Sequence, residues 1–158
     1  EPSNMHRVVA NSPKVFISYL DLATALRSSA VVPRADRELI ILRTSQLVKA
    51  DYEFAAHRPM ALSCGITEAQ IAHLAEWEAA KDYSDRQRAI LAYADAMVTP
   101  SGVGDITFQS LSRFFSPQEI VELTMTAAFY NMAAQVTRTL KVKREERRGK
   151  EGSRYGKC

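Results

Sequence analysis

The stretch Arg37–His57, RELIILRTSQLVKADYEFAAH, decides the fold. Within it Leu39-Ile40-Ile41-Leu42 is apolar on every side, and a helix apolar all round belongs inside a protein. Ionisable groups flank that core: Arg37, Glu38 and Arg43 at the start, Asp51, Glu53 and His57 at the finish. Groups of that kind carried into an interior must be paired or put to use. This is therefore where an active site is expected.

Working outward, helical spacing continues on both sides. Ser12-Pro13 reads as N-cap and first helical residue of a segment that ends near Arg27-Ser28-Ser29. Pro33 and Asp36 open the next helix, which is expected to run to about Lys49. Asp51 to Ser63 continues as helix, directly or after a kink, and Pro59 should bend or break it. Three later starts carry a capping box, in which a hydroxyl and a Gln or Glu three residues on satisfy each other's backbone donors. They are Thr67…Gln70, Ser84…Gln87 and Ser116…Glu119. They predict helices over Thr67–Glu78, Ser84–Val98 and Pro117–Lys143, with a short helix Ile106–Phe114 after the loop PSGVGD. The last helix shows more than one apolar face, so it is expected to pack against two things, one of them a partner subunit. Sustained period-two alternation is absent and glycine is scarce. The expected fold is all-α, six to eight helices in one domain.

Composition sets the broad class. The chain has 158 residues, 46% hydrophobic and 25% charged, enough for one domain with a real core. No eighteen apolar residues run together, so no membrane span is indicated. EPSNMHRVVANSP lacks the long apolar core of a signal peptide, and the expected location is the cytoplasm. Cys64 and Cys158 form no CxxC and no metal-ligand spacing. Cys64 reads as a small buried side chain. From Lys141 onward eight basic and three acidic residues give +5, so the other 140 residues carry −2 of the overall +3. Residues 1–143 are read as the helical domain and 144–158 as a basic, disordered tail. Nucleic-acid binding by that tail is weaker as a reading than a solvated helix end.

Glu53 and His57 are four apart, so on a helix their Cβ atoms lie about 6 Å from each other. A carboxylate beside an imidazole is a proton-transfer pair, since it fixes the ring's tautomer and raises its basicity. On an exposed helix the same pair does little. Tyr52, Phe54, Ala55, Ala56 and Met60 around it favour burial. Glu38 is a third candidate, although a first-turn carboxylate also suits the helix dipole. Arg37 and Arg43 offer planar forks for an anionic substrate or for internal carboxylates. Tyr52 and Tyr130 are candidate pocket donors. No phosphate loop, dinucleotide fingerprint or metal-ligand cluster occurs, so no metal is expected.

These residues, RELIILRTSQLVKADYEFAAHRPMALSCGIT together with IVELTMTAAFYNMAAQ, resemble the carboxymuconolactone decarboxylase/AhpD-like superfamily over roughly residues 13–140. The resemblance implies an AhpD-like helical bundle assembled as a trimer or hexamer, with its site in the helical core close to subunit contacts. The alkylhydroperoxidase branch has the pattern Glu-x11-Cys-x2-Cys-x3-His, which falls here on Glu38, Ala50, Glu53 and His57. Both cysteines are absent, and thiol peroxide reduction needs an attacking and a resolving thiol. That activity is not expected. In the decarboxylase branch a glutamate precedes the histidine by four residues, as Glu53 does here. The resemblance then implies a decarboxylase-like lyase or isomerase that needs no cofactor, because a lactone or carbonyl substrate supplies its own electron sink. His57, Glu53 and Glu38 would carry the proton chemistry, and Arg37, Arg43, Tyr52 and Tyr130 would bind a small anionic substrate. A non-catalytic assembly protein that kept the fold is the alternative. Further copies of the chain are the expected protein partners; a membrane is not.

Overall fold

The computed structural model describes residues 2–145. Eight α-helices make up the architecture of these residues, and no strand occurs among them. They are α1 (Asn4–Val9), α2 (Pro13–Thr24), α3 (Arg34–Leu47), α4 (Asp51–Ser63), α5 (Glu68–Ala72), α6 (Asp85–Met97), α7 (Asp105–Ser112) and α8 (Pro117–Thr139). A π-helical turn, Ala25–Ser29, extends α2. From residue 146 on, the basic tail lies outside the described residues.

Helix α3 is the axis of the fold, lying against α4, α6 and α8. Its all-round apolarity has a specific cause, because its faces serve two cores. Leu39, Ile40 and Leu42 enter the main core with Leu74, Ile90, Leu91, Leu111 and Leu123. Ile41 points the other way, into a smaller cluster with Ala23, Phe129 and Tyr130. Each such side chain contributes roughly 1.5–3 kcal/mol on burial. Arg37 and Glu38 are therefore carried on a helix packed between two cores.

Local capping explains several of the remaining helix starts. All three capping boxes form with both arms, at Thr67/Gln70, Ser84/Gln87 and Ser116/Glu119. Between α3 and α4 the break falls at Lys49, whose φ of 55° is left-handed and ends the helical run. Arg138 of α8 donates to the Val48 carbonyl there. Helix α8 stops at Thr139, short of Lys143, where Lys141 takes a second left-handed turn with φ 52°.

Two further expectations, a break at Pro59 and a helix reaching Glu78, do not hold. Pro59 neither breaks α4 nor ends it, since the helix continues to Ser63. The carbonyl that Pro59 leaves without a backbone donor belongs to Ala55, which is exposed with Ala56 on the outer face, so water can serve it. The helix predicted over Thr67–Glu78 ends at Ala72. Beyond Ala72 the carbonyls of His73 and Glu76 go to turn amides, and several others of the region are taken by side chains. Tyr83 donates to the Gln70 carbonyl, Arg43 to Leu74 (2.9 Å), and Arg88 to Trp77 and Glu78 (both 3.1 Å) and to Ala80. Helix α1 was not expected; it is capped by Ser3 and buries Met5. Cys64 is half-buried at the end of α4, not buried, and its sulfur is not free. Helix α8 buries one face and exposes Val121, Met125 and Met132 on another.

Candidate active site

His57 comes from the middle of α4 and Glu38 from the first turns of α3, and the packing of these two helices brings them together. The His57 Nδ1 and the Glu38 Oε2 lie 2.8 Å apart, with both side chains more than nine-tenths buried. The other Glu38 oxygen accepts from Arg34 Nε at 3.3 Å, one helical turn before it. Glu38 is thereby held at both oxygens, and the ring's Nε2 is left as its second polar atom. Tyr130 of α8 meets the imidazole edge-on, with ring centroids 4.6 Å apart and planes at 83°. Its phenol is pushed up from its ordinary value by burial, so it stays a neutral donor.

These groups line a cleft completed by Ala23, Leu26, Arg27, Arg37, Ile41, Thr126 and Phe129. Three arginines therefore share the lining with one carboxylate. Arg37 reaches back to the π-turn, where its guanidinium donates to the carbonyls of Leu26 and of Arg27, the latter at 2.8 Å. Its Nε is buried without a hydrogen-bond partner. Burial lowers the Arg37 guanidinium from its ordinary value, and the neighbouring Glu38 carboxylate opposes that.

The remaining expected site residues lie elsewhere. Glu53 is buried beside His57 on α4 but does not hydrogen-bond to it; its Oε1 accepts from Thr137 at 3.0 Å and its Oε2 has no partner. Position 38, nineteen residues earlier in the chain, supplies the imidazole's carboxylate instead. Burial pushes the Glu53 carboxyl above the ordinary carboxylate range, while its own backbone amide, Thr137 and His57 pull it back. Arg43 is turned away from the cleft. It clasps Asp95 through Nε (2.5 Å) and Nη2 (2.9 Å), and Nη1 donates to Gln46 and to the Leu74 carbonyl. Trp77 adds a third donor to Asp95 at 3.0 Å. In the open groove beside them, about 350 Å³, Arg43, Trp77 and Asp95 satisfy one another. Tyr52 is a tie between chain ends: its hydroxyl donates to Glu145 at 2.6 Å and accepts from the Met5 amide at 3.4 Å.

Arg34 and Arg27 were missed in the sequence. Arg34 carried a readable signal, being four residues before Glu38 on the same helix. Arg27 carried none, because a π-turn sets its direction. Among the described residues no group of three or more His, Cys, Asp or Glu side chains is placed to hold a metal ion. Among the same residues no helix is long and apolar enough to cross a membrane.

The family model described as the carboxymuconolactone decarboxylase family matches residues 13–96, a span that holds Arg37, Glu38, Glu53 and His57. No curated protein matches the chain. Among solved structures, a protein of unknown function from Agrobacterium tumefaciens, described as a candidate AhpD antioxidant defence protein, is 24% identical with a TM-score of 0.80, covering 89% of this chain and 97% of its own. The debrominase Bmp8 bound to 2,3,4-tribromopyrrole is 18% identical with a TM-score of 0.81, covering 92% and 78%. A peroxidase-related protein from Ralstonia eutropha with an alkylhydroperoxidase AhpD core is 21% identical with a TM-score of 0.77, covering 91% and 77%. At these identities the structures share a fold with this chain.

Proposed function

The chain belongs to the carboxymuconolactone decarboxylase family, and from that premise we propose that it is a cofactor-independent enzyme performing acid/base chemistry on a small anionic carbonyl or lactone compound. Decarboxylation is the reaction that suits the site. The bond between the carboxylate carbon and its neighbour breaks, the electron pair moves into the substrate carbonyl, and a proton is then returned to carbon. Donors aimed at the developing oxyanion and a positioned acid are what such a site must supply.

The observation that carries this reading is the buried Glu38–His57 contact of 2.8 Å at an arginine-lined cleft. Glu38 fixes the ring so that Nδ1 carries a proton toward it, leaving Nε2 to exchange protons with substrate. Tyr130 donates to the oxyanion, and the cationic side of the cleft, Arg37 foremost, receives the substrate's carboxylate. Glu53 acts through His57, as a positioning residue behind the ring. The hydroperoxidase and debrominase names among the structural neighbours are not carried over. Ala50 and Glu53 stand where the hydroperoxidase pattern has its two cysteines. The exposed apolar stripe of Val121, Met125 and Met132 supports homo-oligomeric assembly as part of the same reading.

The test is a panel of lactone acids and β-keto acids assayed for carbon dioxide release, with His57→Ala as the control. Release by the wild type that falls roughly a hundredfold in the variant is the expected result. Equal release by both proteins removes His57 from the chemistry.

A further inference from the structure

The free space in the cleft is about 20 Å³, room for one water molecule. Small-molecule sites need on the order of 300 Å³ or more, so a wall of the cleft must move as a substrate binds. The walls are unequal. Helices α3, α4 and α8 are anchored in the two cores. The π-turn Ala25–Ser29 buries none of its residues, and segments with few buried apolar contacts open at the lowest cost. Its borders are fixed: Ala23 is 6% exposed on one side and Val32 1% on the other, where the Val32 amide donates to Glu122 at 2.9 Å. Between those two points the apolar tie to the cleft wall is Leu26, part-buried against the smaller cluster, and the remaining ties are polar. Arg37 holds the carbonyls of Leu26 and Arg27, and the Arg27 side chain hydrogen-bonds to Tyr130.

We infer that residues 24–31 form a flap latched by Arg37, and that a carboxylate entering the cleft releases it by taking the Arg37 guanidinium from the Leu26 and Arg27 carbonyls. Resting on the anionic-substrate reading above, this makes Arg37 the residue that selects substrate by charge. A carboxylate offers the guanidinium a charge-assisted, two-pronged partner, which is stronger than a neutral carbonyl. The buried Arg37 Nε, unpartnered while the flap is closed, gains an acceptor in the exchange. A neutral molecule of the same shape offers neither and leaves the flap shut.

Amide hydrogen exchange on the wild-type protein tests this with succinate as probe, succinamide as its neutral isostere and sodium chloride to match ionic strength. Succinate is expected to speed exchange at residues 24–31 roughly tenfold, as loss of one or two net hydrogen bonds would, with succinamide inert. Arg37→Met is expected to show the faster exchange without any ligand and to ignore succinate. Unchanged exchange with succinate, an equal response to succinamide, or wild-type protection in Arg37→Met each overturns the latch. His57→Ala must keep the succinate response. If it does while no lactone or keto acid is turned over by the wild type, the latch stands and the decarboxylation reading falls.

Discussion

Arg37 and Arg43 sit six residues apart on one helix, both substantially buried, and the structure treats them in opposite ways. Arg43 spends every nitrogen inside the protein, on Asp95, Gln46 and the Leu74 carbonyl. Arg37 gives one nitrogen to two carbonyls of a segment with no buried residue, and leaves its Nε without a partner. The two glutamates divide in a related way. Both oxygens of Glu38 are engaged, by His57 and Arg34, at the cleft. Glu53 has one oxygen on Thr137 and one on nothing, behind the ring. A saturated ionic group belongs to the architecture unless it holds a reactive neighbour, as Glu38 does. An under-satisfied cation at a cleft wall is poised for a ligand.

Substitutions can break this division. The largest effect is expected at Arg43→Ala, which takes the guanidinium from Asp95 and the donor from the Leu74 carbonyl and should cost about 3 kcal/mol, held below the fully buried case because Asp95 keeps Trp77 and some contact with water. Arg37→Met should cost about 1 kcal/mol in the same denaturant titration, since one of the two carbonyls it releases is exposed and the other only part-buried. Equal losses would erase the distinction. Next comes Glu38→Gln, expected to lower turnover roughly hundredfold, or about 2.7 kcal/mol of barrier, with little change in KM. A Gln at 38 can still accept from Nδ1 but cannot offset the charge of an imidazolium, so unchanged turnover would reduce Glu38 to a spacer. Smaller again, Arg37→Met should raise KM for an anionic substrate about tenfold and spare kcat, the mark of lost uniform binding.

How far these roles could be read from the chain follows from the range of the forces involved. The three capping boxes are local in sequence and formed as expected at Thr67, Ser84 and Ser116. The all-round apolarity of Leu39–Leu42 marked α3 as central, and the family resemblance fixed the bundle. The early end of α5 was not legible, because the arginines that take its carbonyls come from α3 and α6. Arg37 and Arg43 are indistinguishable by composition. Only the position of Asp95, fifty-two residues beyond Arg43, separates their fates. Sequence paired the imidazole with Glu53 and held Glu38 only as a third candidate. Spacing on one helix favoured the former, while contact between two helices decided for the latter.

The smallest effect concerns Glu53, and its sign is its most informative feature. Burial raises this carboxyl's pKa in the folded chain, so the folded state holds the proton to higher pH than the unfolded one. Between the two pKa values the native protein binds more protons, and stability must fall as pH rises through that window. The fall ends above the folded value, where the carboxylate is ionised in both states. Glu53→Gln removes the titration and keeps an oxygen to accept from Thr137. Its stability should therefore lack that fall, and above the window should match or exceed the wild type by up to about 1 kcal/mol. Turnover should stay within about tenfold of wild type, because Glu53 touches neither the cleft nor the ring's hydrogen bond. Thermal melts at several pH values read the slope directly. A wild type that gains stability with rising pH in the acid range, and loses that gain in Glu53→Gln, would mean that the carboxylate is held ionised in the interior. The pull of its own backbone amide, Thr137 and His57 on Glu53 would then outweigh its burial.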